Sequence, residues 1–398
     1  MAETTCSYLI VGGGLAGASA VAGIREVDHN GTITLLGAEN HLPYNRPPLS
    51  KKLWLGKADL DDIFVHDQAY YDCAGVTLRL GRRATALDAG RRVVTDDKGD
   101  TYLFKKLLLA TGGSPRLLSV PGGDLPGLCY YRTVDDYKNI RALAAPGKSA
   151  LIVGGGFIGS EMASALRQNG VGVTMVYPSP YLCYNVFPLD VGIAMEELFG
   201  RKGIRIFKDC KPAAFEKKGE RFVTRTSWGE KLESDIVIIG AGILPAAGLA
   251  SAAGLATSEG IEVDSYLQTS RQDIYAAGDN ACFPYQALGQ PMRLEHWDNA
   301  LNQGKRAGRN MAGAREPFLY MPYFFSDLFD FGYEAVGEVD SRLEVSTDWE
   351  KPYNKGVIYY TRGGKIRGVM MCNVWERVEA ARGLIRRKAE VAEKMIAA

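Results

Sequence analysis

The chain places short apolar runs between glycine-rich turns and amphipathic stretches, and it does so twice. Residues 8–11 form a continuous apolar run that leads into GGGLAG, then a helical pattern over 15–25 and a second apolar run at 32–36. Residues 151–153 lead in the same way into GGGFIG, a helical pattern over 157–169 and an apolar run at 172–177. Short apolar runs bounded by turn residues predict fully buried strands, and helices between them predict parallel pairing. Each half then has a polar, hairpin-like stretch with a Gly turn (93–100 and 222–229). Each closes on an apolar strand and a Gly pair, LLLATGG at 107–113 and IVIIGAG at 236–242. After residue 270, DIYAAGD (273–279) predicts a strand ending on an acid, and 299–311 a long helix.

From about residue 316 the texture changes. Aromatics crowd into 318–333, alternating patterns predict strands at 334–339, 356–361 and 366–371, and 375–398 reads as a charged amphipathic helix. The expected fold is α/β, with two Rossmann-like dinucleotide-binding domains and an α+β C-terminal domain. The first domain comprises residues 1–118 and 247–315, the second 119–246, and the third 316–398.

The glycines carry the chemistry. Gly12, Gly14 and Gly17 have G-x-G-x-x-G spacing, and Gly154, Gly156 and Gly159 repeat it. Between a strand and a helix, the first glycine makes the tight turn, the second lets backbone approach a pyrophosphate, and the third permits close helix–strand packing. Two such turns in context imply two dinucleotides, and a chain holding two usually passes electrons between them.

Composition changes this picture little. Of 398 residues, 46% are hydrophobic and 23% charged, ordinary values for a globular protein of two or three domains. A net charge of +1 argues against bulk nucleic-acid or acidic-membrane binding. The chain enters a strand almost at once, so no targeting peptide is expected and a cytoplasmic location is. Residues 236–256 carry no charge and match a membrane span in length, but Pro245 and four glycines interrupt them. They read as a buried strand followed by a small-residue loop and a turn of helix. The seven cysteines (Cys6, Cys73, Cys129, Cys183, Cys210, Cys282 and Cys372) form no C-x-x-C pair. They read as reduced thiols serving as small core residues, and no metal site is expected.

The arrangement resembles the pyridine nucleotide-disulfide oxidoreductase superfamily of two-dinucleotide flavoproteins, in its ferredoxin/rubredoxin-reductase and apoptosis-inducing-factor branch. The resemblance covers nearly the whole chain. It rests on LPYNRPPLSKKLW (42–54), LLLATGGSPR (107–116), GGGFIGSEMASAL (154–166), DIYAAGDNACF (273–283), RLEHWDNALNQGKRAGRNMAG (293–313) and FFSDLFDFGYEAVG (324–337). It implies FAD in the first turn, with Glu39 on the adenosine ribose, Asp279 at the ribityl chain, and Thr111, Gly112 and Gly278 in the closing loops. Arg46 and Lys51 match positions beside the FAD pyrophosphate and the flavin ring. The second turn is then the NAD site, with Gly242 at its closing loop and Phe157 as a ring that nicotinamide displaces. Glu161 is expected in the first turn of the helix, where the dipole favours it, paired with Lys51.

Glu295, His296 and Trp297 match the loop that shapes the nicotinamide pocket. Phe325 stands where many relatives have a tryptophan, and Glu334 matches a further position close by. The strand ends Val176-Tyr177-Pro178-Ser179, where NADH-selective relatives often carry an acid for the ribose diol, and no Arg or Lys follows before Arg201 to take a 2′-phosphate; the missing cation counts more and favours NADH. The activity implied is hydride transfer from NADH to FAD, then single electrons to a ferredoxin, rubredoxin or similar iron–sulfur acceptor, with a homodimer left open. The alternative is an apoptosis-inducing-factor-like flavoprotein whose long-lived reduced-FAD/NAD complex controls association. The long insertion and leader of the animal proteins are missing, which counts against death signalling. Thiol chemistry lacks its residue: neither 15–25 nor 41–45 contains a Cys.

Overall fold

The structure, a computed structural model, describes residues 2–390. It divides into two compact units, each assembled from distant parts of the chain. The first gathers the chain up to Asn45, Leu60–Ser114 and Pro245–Pro322. The second gathers Arg46–Asp59, Pro115–Leu244 and the chain from Tyr323 onward.

In the first unit, the strand Glu3–Val11 pairs in parallel with Ile33–Gly37 on one side and Thr101–Leu109 on the other. Val76–Leu80 continues the sheet beyond Ile33–Gly37, and Ile274–Ala276 also pairs in parallel with Thr101–Leu109. Val93–Asp96 and Ala84–Asp88 extend it antiparallel, to seven strands in all. The central strands are continuous apolar runs because both faces are covered; Leu9, Ile10, Leu107, Leu108 and Leu109 are fully buried. The helices Leu15–Arg25 and Trp297–Met311 cross very closely. A Cβ on Gly304 or Gly308 would come within 2.2 Å of the carbonyl oxygens of Ala16 and Ala20, so this crossing requires glycine.

In the second unit five strands run parallel, in the order Arg205–Phe207, Gly172–Val176, Ser149–Val153, Ile236–Ile239, Leu128–Tyr130. The hairpin-like stretch is an antiparallel three-stranded sheet, Pro212–Lys218, Arg221–Thr226 and Lys231–Ser234. A five-stranded antiparallel sheet closes the chain, in the order Tyr323–Leu328, Phe331–Gly337, Lys365–Cys372, Lys355–Arg362, Glu344–Lys351.

Two expectations change. The aromatic stretch 318–333 contains a strand, Tyr323–Leu328, hairpinned to Phe331–Gly337, and Glu344–Lys351 is a strand the pattern did not suggest. The last described helix is Val378–Arg386; the expected helix over 375–398 starts too early and its end, 391–398, lies outside the described residues. Glu376 holds φ of 62°, a left-handed value that a helix beginning at Trp375 could not include. Residues 46–59 and the C-terminal sheet fall into one compact unit with the second parallel sheet. The interrupted apolar stretch 236–256 holds the strand Ile236–Ile239 and the short helix Gly248–Ala252. Among the described residues no helix is long and apolar enough to cross a membrane.

Candidate functional site

The two glycine turns follow the same steric rules. Gly12 and Gly154 adopt φ of 131° and 126°. A Cβ there would come within 2.0 Å of the Ala110 carbonyl oxygen and 2.3 Å of the Gly240 one. A Cβ on Gly17 or Gly159 would come within 2.1 and 2.0 Å of the carbonyl oxygens of Gly12 and Gly154. Gly14 and Gly156 are different: a Cβ on either would meet no atom within 4 Å. Both are N-caps in extended conformation with no side chain capping the helix behind them. Each turn thus ends in open space facing bare helix N–H groups, the geometry that accepts a pyrophosphate. The residues present fit two dinucleotides.

Within the first unit, Glu39 accepts a hydrogen bond from the Tyr44 hydroxyl at 2.5 Å. The Thr111 hydroxyl donates to the Ala246 carbonyl (2.7 Å) and accepts from Asn280 Nδ2 (2.8 Å). Gly112, with φ of 65°, accepts from the Ala246 N–H. Gly278 has φ of 90° and donates to Gln303 Oε1 at 2.9 Å. Arg293 donates to the Asp279 carbonyl and to Glu295 Oε1, joining two of the expected residues. His296 stands at the N-cap position of the helix Trp297–Met311 without a side-chain capping bond, and Trp297 Nε1 donates to Asn45 Oδ1 at 2.7 Å. Desolvation pushes the His296 imidazole down to about 4, against a smaller opposing influence of Asp279, so the ring is neutral at pH 7. Sequence reasoning missed Tyr44, Asn280, Gln303 and Arg293; Asn280, directly after the AAGD strand, was the easiest to find.

Within the second unit, Lys51 Nζ lies 2.6 Å from Glu161 Oε1; the Glu161 side chain is buried and that of Lys51 is 10% exposed. Glu161 sits past the first turn of Phe157–Gln168, which contains no acid, so the expected dipole placement is corrected. Side chains hold it instead: the Ser326 hydroxyl donates to Oε1 (2.6 Å) and the Ser50 hydroxyl to Oε2 (2.5 Å). Three donors on one buried carboxylate satisfy what burial would otherwise penalise. Neither serine was anticipated, although Ser50 adjoins Lys51 in the PPLSK string. Phe325 places its ring centroid 5.4 Å from Lys51 Nζ. Phe157 is 36% exposed, and its ring lies 5.6 Å from that of Phe324. Arg46 donates to the Arg132 carbonyl, and Gly242, with φ of 91°, accepts from the Arg116 N–H. Burial raises the Glu334 carboxyl above its ordinary range, against a smaller opposing backbone hydrogen bond from Glu376.

All seven cysteines are free, and only Cys73 is exposed. Cys183 approaches the second turn, its Sγ 3.7 Å from Ser160 Oγ, but burial pushes its thiol up to about 12. A thiol so placed is not a nucleophile at neutral pH.

Two family descriptions match the chain. That for pyridine nucleotide-disulphide oxidoreductases covers residues 6–304, and that for the C-terminal part of mitochondrion-associated apoptosis-inducing factor covers 307–352 and 344–387. The chain belongs to the pyridine nucleotide-disulphide oxidoreductase family, and is an NAD(P)H-dependent oxidoreductase with FAD and NAD(H) as its cofactors. It is 33% identical to the anthranilate 1,2-dioxygenase system ferredoxin–NAD(+) reductase component of Burkholderia cepacia, over 95% of this chain and 93% of that one. It is 32% identical to rubredoxin–NAD(+) reductase of Pseudomonas putida, over 83% and 86%. Among solved structures, putidaredoxin reductase in its covalent complex with putidaredoxin matches with a TM-score of 0.91 and 28% identity, over 98% and 94%.

Proposed function

We propose that the protein passes electrons from NADH, by way of FAD, to a one-electron iron–sulfur carrier of the ferredoxin or rubredoxin kind. The observation that carries this reading is similarity along the chain. A ferredoxin reductase component, a rubredoxin reductase and a putidaredoxin reductase each match over 83% or more of it.

Residues 1–118 and 247–315 are assigned to FAD, 119–246 to the nicotinamide coenzyme, and 316–398 to a C-terminal domain. In this assignment Gly12, Gly14 and Gly17 bring backbone N–H groups to the FAD pyrophosphate, and Glu39 accepts from its adenosine ribose. Thr111, Gly112, Gly278, Asp279 and Arg46 complete that site. Gly154, Gly156, Gly159 and Gly242 serve the nicotinamide coenzyme, with Phe157 as the displaceable ring and Glu295, His296 and Trp297 shaping the pocket. Bound FAD would supply what no side chain offers, uptake of a hydride and release of electrons one at a time. Lys51 provides positive charge that favours reduction, and Glu161 holds that charge in place. His296, kept neutral, orients rather than transfers a proton. Phe325 packs against Lys51 and keeps its position fixed.

The match of 307–352 and 344–387 to the apoptosis-inducing-factor C-terminal region favours a second reading, in which reduction alters association instead of driving turnover. Stopped-flow reduction with NADH and NADPH, followed by turnover with a [2Fe–2S] ferredoxin, decides. The expected result is faster reduction by NADH and ferredoxin turnover of about 10 per second or more. Slow reoxidation accompanied by a change in sedimentation would support the second reading and overturn the first.

A further inference from the structure

We propose that Glu196 and Lys208, held at the end of the second parallel sheet by Tyr177, form a neutral pair that accepts a ribose diol and rejects a 2′-phosphate. The proposal rests on the assignment of the second glycine turn to the nicotinamide coenzyme.

In folds of this kind the adenosine ribose lies at the carboxyl end of the strand that follows the glycine-turn helix, and a carboxylate or a cation there decides between diol and 2′-phosphate. Here that strand, Gly172–Val176, runs directly into Tyr177, which is fully buried. The Tyr177 ring fills the space under the glycine turn; a Cβ on Gly155 would come within 2.7 Å of it. Its hydroxyl donates to Glu196 Oε1 at 2.7 Å. Glu196 belongs to the helix Leu189–Arg201, and its Oε2 lies 2.9 Å from Lys208 Nζ. Lys208 follows the strand Arg205–Phe207, which pairs in parallel with Gly172–Val176 in the register Val176↔Phe207. Lys208 therefore leaves the sheet at the same end as Tyr177.

The charges follow. Burial and the Glu196 carboxylate raise the Tyr177 hydroxyl far above its ordinary value, so it stays a neutral donor. The Glu196 carboxylate is 11% exposed and Lys208 45%, so the acid is anchored and the ammonium is the outer partner. A carboxylate has about four lone-pair sites, of which these two contacts use two, leaving acceptors for hydroxyl donors. A 2′-phosphate would meet a lysine already offset by Glu196, with the negative charge of Asp209 also acting here. Like charges without compensation are what reject the wrong ligand. Glu196 stands between Tyr177 and Arg201 in the sequence and Lys208 lies beyond it, but only the fold brings the two together at this end of the sheet.

Calorimetric titration of the flavin-loaded protein with NAD+, NADP+ and adenosine 2′-monophosphate tests the proposal. Wild type should prefer NAD+ by about tenfold or more. Glu196→Gln keeps the shape and the acceptor for Tyr177 but releases Lys208. Affinity for NADP+ and adenosine 2′-monophosphate should rise about tenfold, and Glu196→Gln/Lys208→Gln should lose that gain. An unchanged NADP+ to NAD+ ratio in Glu196→Gln, or a gain kept in the double variant, overturns the proposal. Lys208→Glu alters only the outer partner and carries the test if Glu196→Gln misfolds. It must weaken adenosine 2′-monophosphate binding, and binding equal to wild type overturns the proposal. Wild type that binds neither NAD+ nor NADP+ would sink the coenzyme assignment as well, so the two failures are told apart.

Discussion

Counted from the opening glycines, Ser19 and Glu161 occupy equivalent places in the two halves, and both are buried. The first half puts a small hydroxyl there. The second puts a carboxylate held by Lys51, Ser50 and Ser326. The strand ends differ too. The Leu36 carbonyl accepts from the Gly12 N–H, and the Val176 carbonyl from the Gly154 N–H, which makes Gly37 and Tyr177 equivalent. In the first half Gly37 packs on Gly13, and Glu39 just beyond accepts from Tyr44. In the second the tyrosine is itself the strand end and reaches an acid on a later helix. The glycine turn thus fixes backbone and leaves ligand identity to the side chains around it. Identical turns can hold different dinucleotides because chemistry is delegated to positions the turn does not constrain.

The comparison breaks most visibly at the opening glycines. Alanine at Gly12 or Gly154 combines positive φ with a backbone clash, worth about 3 kcal/mol or about 100-fold in ligand affinity. Gly12→Ala should yield protein with little or no flavin, measured as absorbance per chain. Gly154→Ala should keep its flavin and lose NAD+ binding by calorimetry. Flavin loss in both variants would show that the two turns do not serve separate ligands.

A smaller effect sharpens the difference at the next pair. Glu161→Gln leaves the largely buried Lys51 ammonium without its counter-charge, a change that costs about 3–5 kcal/mol in such settings. Thermal unfolding should shift down accordingly, and flavin reduction by NADH should slow. Ser19→Ala should cost about 1 kcal/mol or less. Combining Glu161→Gln with Lys51→Met should restore part of the loss, because paired groups couple. Strictly additive losses would show that the pair is not the unit that matters.

Much of this was legible in the sequence, for identifiable reasons. The glycine turns were visible because their steric demands admit one residue type at fixed spacing. The central strands were visible because burial on both faces makes them continuously apolar. Ser50, Ser326, Glu196 and Lys208 were not, since a serine or a charged residue is compatible with many environments and only the fold brings these to their partners. The helix predicted from Trp375 failed at Glu376, whose left-handed backbone no periodicity reports. Glu161 was read as the partner of Lys51 in the first helical turn, and the sequence could not show that Ser50 and Ser326 also donate to it from elsewhere in the fold.

The smallest effect concerns the one thiol beside the second turn, which has no counterpart in the first. The Cys183 N–H donates to the Gly155 carbonyl at 2.7 Å, and its Sγ lies 3.7 Å from Ser160 Oγ. That position would suit a redox thiol if the group ionised. Burial instead pushes its pKa up to about 12, so at pH 8 only about one molecule in ten thousand carries the thiolate. The sign is that of a neutral group stabilised by burial: reactivity should stay absent through neutral pH and emerge only above about pH 10. In native protein at pH 8, iodoacetamide should modify exposed Cys73 and leave Cys183 untouched, as peptide mass spectrometry would reveal. Cys183→Ala should alter the rate of ferricyanide reduction by NADH by less than about twofold, because no electron needs to pass through sulfur. Rapid alkylation of Cys183 in folded protein, with matching loss of that activity, would make the second turn a thiol site and erase the distinction drawn between its chemistry and disulfide reduction.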